Sequence, residues 1–148
     1  MRTIHIAFYT AKGNLLDTLI RFWTKGTTSH VEFLIEGIMY GAVPFKGTRK
    51  TVDIVITDYE LFPISVTDEE LENILEYCED ELGCDYDWSG IFLSQIINAG
   101  HQSTSKWFCS EFVLAALLKA EVIHGYYVPN KFSPEDLLKL LQYTFNEK

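Results

Sequence analysis

The sequence predicts an α+β fold: an antiparallel sheet with helices segregated around it. Three observations point there. Strand-like alternation and turn signals dominate up to about residue 65, helical apolar spacing dominates after it, and no long apolar run or repeat interrupts the order. The chain has 148 residues, which suits one domain over 1–148 with a core of its own. Its apolar and aromatic content excludes disorder.

The elements follow in order. Ile4, Ile6 and Phe8 alternate with His5, Ala7 and Tyr9, so 3–9 reads as a strand. Leu15, Leu16, Leu19, Ile20 and Trp23 recur at helical spacing, which predicts a short helix over 14–23. Residues 30–35 and 38–43 read as a hairpin around Glu36-Gly37, with the glycine supplying the positive φ. Residues 51–57 and 60–65 read as two more strands around Asp58-Tyr59.

Thr67 then caps a helix, and Glu70 three residues on completes a capping box. Leu71, Ile74, Leu75, Cys78 and Leu82 form its apolar stripe, and Gly83 ends it. Residues 87–98 read as a very apolar helix, 100–106 as a polar loop and 109–120 as the third main helix, with Gly125 after it. In the last helix Ser133 is the cap and Pro134 the first helical residue.

The net charge is −9, and residues 68–87 hold ten acids and no Lys or Arg. That argues against a nucleic-acid partner, which needs a basic stripe, and suits a solvated helix face. No apolar run is long enough to span a membrane, and the N-terminus alternates rather than forming a signal-peptide core. A cytoplasmic location is the expectation. Three cysteines leave one odd thiol in any disulfide scheme, and their spacing fits no common zinc site, so reduced thiols and no metal or cofactor are expected. Cys78, on the helix stripe, reads as inert core; Cys84 lies just past the helix end.

Two short segments carry the chemistry. Cys109 opens the third helix, three and four residues before the core positions Phe112 and Val113. It therefore faces the core at the end with unpaired backbone N–H groups, where roughly half a positive charge favours an anion. The same N–H groups suit an oxyanion. His30 begins a strand after the polar loop 24–29. An imidazole beside a helix-terminal thiol is what a cysteine nucleophile needs. Each residue also has an ordinary reading: a buried cysteine often only fills space, and a strand-end histidine is often just hydrogen-bonded. His101 and His124 compete with His30, and His5 sits in a strand, so the residues alone leave the histidine open.

A resemblance resolves that choice. Leu19-Ile20-Arg21-Phe22-Trp23-Thr24, Ser29-His30-Val31-Glu32, Tyr86-Asp87-Trp88-Ser89-Gly90 and Trp107-Phe108-Cys109-Ser110-Glu111 together resemble the NlpC-type papain-like cysteine hydrolases. They are most similar to the circularly permuted, lecithin:retinol acyltransferase-like branch, in which His precedes Cys. The resemblance runs in pieces from about residue 12 to 120 and implies a papain-like fold, with the nucleophile-bearing helix packed on the sheet. It implies Cys109 as nucleophile, His30 as general base and then acid, and the Cys109 N–H as part of the oxyanion hole. A bacterial or phage origin follows from the resemblance alone, as does any cell-wall peptide role.

The chain departs from that pattern at the group that orients the histidine. Relatives place a Glu before an Ala-Val-Pro-like segment on the strand after the His; here Tyr40-Gly41-Ala42-Val43-Pro44 puts Gly41 there. A two-residue Glu36-Gly37 turn sets Ile35 opposite Ile38 and therefore Glu32 opposite Gly41, with Cβ positions about 5 Å apart. Glu32 also shares a strand face with His30. The carboxylate is thus expected to have swapped strands, with Gly41 making room for it. The alternative is a solvent-facing Glu32. Asn14 and Tyr40 are candidate second oxyanion donors. Ser110 reads as a capping or loop-holding group, Glu111 as an acid favoured in a first helical turn, and Trp88 and Trp107 as core or pocket walls.

The expected activity is a thiol hydrolase, an amidase or peptidase or an esterase, acting on a small-molecule, peptide or lipid substrate. The alternatives are a lipid acyltransferase, against which stands the lack of a basic amphipathic helix, and an inactive binding module, favoured by Gly41. A zinc protein is disfavoured because His30 and Cys109 lack further ligands at suitable spacing.

Overall fold

The computed structural model describes residues 1–11, 30–43, 47–83 and 108–146. Among the described residues five strands form one antiparallel sheet: β1 (Arg2–Tyr9), β2 (His30–Ile35), β3 (Ile38–Val43), β4 (Gly47–Thr51) and β5 (Tyr59–Val66). Their order across the sheet is β4-β3-β2-β1-β5. Three helices follow among the described residues: α1 (Asp68–Asp80), α2 (Phe108–Lys119) and α3 (Pro134–Asn146). The architecture is α+β. The expected helices over 14–23 and 87–98 and the loop 100–106 lie outside the described residues.

The hairpin of β2 and β3 has the expected register, with Ile35 opposite Ile38, Leu34 opposite Met39 and Phe33 opposite Tyr40. Its turn needs more than the glycine: Glu36 (φ 50°) and Gly37 (φ 79°) both adopt positive φ. That pair of values matches the right-handed twist of the flanking strands.

The next strand differs from expectation. Pairing stops at Thr51 opposite Met39, and the Thr51 hydroxyl accepts the Asp53 N–H at 3.1 Å, starting a turn. Val52 and Val55 are exposed, and Ile56–Asp58 is a 3₁₀ turn. The run 51–57 looks strand-like because it is rich in β-branched residues, but β3 pairs with 47–51 instead, and pairing decides the strand. Tyr59, expected in the turn, is the first residue of β5. Pro63 is tolerated in β5 because that strand is a sheet edge.

Thr67 caps α1 with both bonds of the capping box: its hydroxyl accepts from Glu70 N at 3.1 Å, and its N–H donates to Glu70 Oε2 at 2.6 Å. Leu71, Ile74 and Cys78 are buried, while Leu82 falls beyond the helix end at Asp80. Burial, with Glu79 adding, pushes the Cys78 thiol up to about 12, so it stays neutral at physiological pH. Ser133 caps α3 through a reciprocal pair of bonds with Asp136.

Alternation divides the sheet into two faces. Ile4, Ile6, Phe8, Val31, Phe33 and Ile35 join the buried residues of all three helices in the main core. α2 lies against β2 and β3 and touches α1 and α3. Ala7, Leu34 and Met39 belong to a smaller cluster on the opposite face, with Ile54, Tyr59 and Leu61 packed on it. Among the described residues no helix is long and apolar enough to cross a membrane.

Candidate active site

Strand β2 carries His30 and Glu32 on the face of the smaller cluster, two residues apart as its pleat requires. Glu32 lies in a row with short neighbours. Ala7 pairs with it on β1, and the hairpin register puts Gly41 on its other side. The Glu32 side chain fills the space that a Gly41 side chain would occupy. A Cβ added at Gly41 would stand 2.8 Å from Glu32 Oε1, and closer still to Cγ. Glu32 is completely buried, which departs from the solvent-facing alternative.

The two carboxylate oxygens divide their work. Oε2 lies 3.3 Å from His30 Nε2 and accepts a hydrogen bond from the Tyr59 hydroxyl, also at 3.3 Å. Oε1 lies 3.5 Å from the Arg49 guanidinium. Arg49 sits opposite Gly41 on β4, so its side chain reaches across the bare glycine. Tyr59 is steadied by an edge-on contact with Tyr9, ring centroids 5.3 Å apart.

On the thiol side, Cys109 is buried in the first turn of α2 and interacts with the His30 imidazole. The His30 side chain is only 13 % exposed. Burial opposes its charged form, but the Glu32 carboxylate, with the Cys109 thiol adding, outweighs burial and pushes the imidazole from 6.5 up to about 10. Burial likewise opposes the charged carboxylate, yet His30, Arg49 and the Tyr59 hydrogen bond hold Glu32 below the usual carboxylate range. Burial and the neighbouring carboxylate raise the Tyr59 phenol, keeping it a donor. At neutral pH the His30 imidazole therefore carries a proton beside the Glu32 carboxylate.

The other candidates fall elsewhere. Tyr40 is buried in the main core, where burial and the charge of Glu79 raise its phenol. Ser110 is fully buried, and its hydroxyl donates to the Phe132 carbonyl, tying α2 to the segment before α3. Glu111 is the acid of the first turn of α2. His124 is exposed and His5 is half-buried on β1. Asn14, Trp88, His101, Trp107 and Cys84 lie outside the described residues. Among the described residues no three His, Cys, Asp or Glu side chains cluster as a metal site.

Sequence reasoning missed Arg49 and Tyr59. Extending the hairpin register one strand past Gly41 finds Arg49, but only with β4 at 47–51. Tyr59 was hidden by its reading as a turn residue. No protein-family model matches the chain, and no curated protein matches it.

Proposed function

We propose that the protein is a thiol hydrolase that cleaves an amide or ester through an acyl-thioester on Cys109. The observation that carries this reading is the buried His30, held between the Cys109 thiol and the Glu32 carboxylate. The resemblance to permuted NlpC-type hydrolases supports the same reading. A carboxylate beside His30 also removes the main reason for preferring an inactive binding module.

In the reaction, Cys109 Sγ attacks the carbonyl carbon of the substrate as a thiolate, its proton held by His30. The oxyanion that forms is stabilised by the Cys109 backbone N–H and the positive end of α2. As the bond to the leaving group breaks, His30 gives that group its proton and becomes neutral. Water then attacks the thioester and passes a proton back to His30. The C–S bond breaks, releasing the acid and restoring the Cys109 thiolate beside the protonated imidazole. Glu32 keeps Nε2 oriented throughout and stabilises the imidazolium whenever it forms.

The test is single-turnover reaction with an activated ester such as p-nitrophenyl acetate, in protein carrying Cys78→Ala and Cys84→Ala. A burst of nitrophenol equal to the enzyme concentration, with the acetyl group found on Cys109 by peptide mass analysis, is expected. Cys109→Ala removes both. Nitrophenol release that survives Cys109→Ala undiminished contradicts the proposal.

A further inference from the structure

We propose that Arg49 is a positioning residue of this site: reaching over Gly41, its guanidinium holds Glu32 Oε1 so that Oε2 stays turned to His30. That the pair in turn serves the Cys109 thiol rests on the function proposed above; the link from Arg49 to His30 does not.

The argument begins with the burial of Glu32. A carboxylate removed from water remains charged only if cations and donors replace its hydration. The described groups that face it are His30, Tyr59 and Arg49, and two of the three lie at Oε2. Oε1 has no hydrogen-bond partner among the described residues. The positive charge of Arg49, 3.5 Å away, is what compensates it. Without Arg49, Oε1 would have no cation beside it among the described residues, and the carboxyl would gain by taking a proton or by rotating. Either change withdraws the negative charge from beside His30 Nε2.

The backbone arrangement fits this role. Arg49 and Glu32 are on strands separated by β3, so a direct contact requires the intervening residue to be short. Gly41, opposite Arg49, has no side chain to stand between them. One glycine therefore admits both the carboxylate from β2 and the guanidinium from β4. Arg49 Nε is buried without a hydrogen-bond partner among the described residues, so the contact is held by charge and reach rather than by a two-pronged fork. The groups that bear on the titration are Glu32, His30, Tyr59 and Arg49, with Cys109 against His30 and Tyr9 against Tyr59.

The experiment follows the His30 imidazole ring signals by NMR from acid to alkaline pH. It compares the wild-type chain with Arg49→Gln and Arg49→Lys, each also in a Cys109→Ala background. The acid inflection of the His30 signal reports protonation of Glu32. In Arg49→Gln that inflection is expected about one pH unit higher, with the alkaline inflection still above pH 8. Arg49→Lys restores most of the difference. An acid inflection in Arg49→Gln that coincides with wild type overturns the proposal. If Arg49→Gln does not fold, the double variant Arg49→Gln/Glu32→Gln decides. Recovery of folding once the carboxylate is also neutral supports the proposal, and failure of the double variant assigns Arg49 to packing and overturns it. Because the Cys109→Ala background has no thiol at position 109, the result stands apart from the hydrolase reading: an inert Cys109 with an Arg49-dependent titration defeats only that reading.

Discussion

Glu32→Gln is expected to lower the His30 pKa from about 10 to 6.5 or below. The carboxylate is the main force raising it, and once that charge is gone burial prevails. Gln keeps the volume and can still accept a bond from Nε2, so the shift reports charge rather than packing. The same variant changes how stability depends on pH. In the wild-type chain the unfolded imidazole loses its proton near 6.5 while the folded one keeps it to about 10. The contribution of this group is thus fully present below 6.5. It is lost as pH rises between those values, with a slope approaching 1.4 kcal/mol per pH unit. Glu32 works in the opposite direction, since its pKa is lowered on folding. Its contribution is present above the unfolded carboxyl value of about 4.5 and disappears as pH falls through the folded value. Urea unfolding from about pH 2 to pH 10 should show both limbs in wild type, with the alkaline limb flattened in Glu32→Gln. Equal slopes in the two proteins would mean that the pair stores no such energy.

Gly41→Ala is the second large effect. An added Cβ meets Glu32 Oε1 at 2.8 Å and Cγ more closely still, separations that atoms do not tolerate. Glu32 is fully buried and Ala7 lies on its other flank, so the side chain has little room to retreat. Overpacking of this kind costs about 1–3 kcal/mol. Here it also pushes the carboxylate off His30. Expected are a lowered urea midpoint and a His30 titration moved toward that of Glu32→Gln. The exchange Glu32→Gly/Gly41→Glu returns a carboxylate to the position from which the resemblance expects it, and should recover part of the raised His30 pKa. A Gly41→Ala protein with wild-type stability and wild-type His30 titration would show that the tight approach is not real.

The legible part of the site was the part that a hairpin fixes. Glu36-Gly37 allows one short turn, the turn sets Ile35 opposite Ile38, and counting back brings Glu32 to Gly41. Each step is local geometry with period two. Arg49 was hidden because propensity and pairing disagree between residues 47 and 57. Val52, Val55 and Ile56 have the side chains of a strand but stand exposed in a connection. Gly47-Thr48-Arg49 has weak strand character and is recruited because β3 has a free edge to pair. Strand position is a long-range property there, and no local pattern reports it. The burial of Glu32 was equally invisible, since alternation assigns a residue to a face without saying whether that face is covered. The helix that carries Cys109 was readable from its apolar spacing, though it begins one residue earlier, at Phe108, and the caps at Thr67 and Ser133 were readable because caps are written within four residues.

The central claim is that Cys109 and His30 form one working unit. It is tested most directly by the rate of Cys109 alkylation by iodoacetamide at pH 7, in protein carrying Cys78→Ala and Cys84→Ala, with and without His30→Ala. Far-ultraviolet circular dichroism would confirm that both proteins are folded. The account predicts a reaction at least about a hundredfold slower without the imidazole, the scale expected of a positioned acid–base partner. It also predicts a smaller loss in Glu32→Gln. A Cys109 that reacts at the same rate whether or not His30 is present would contradict it.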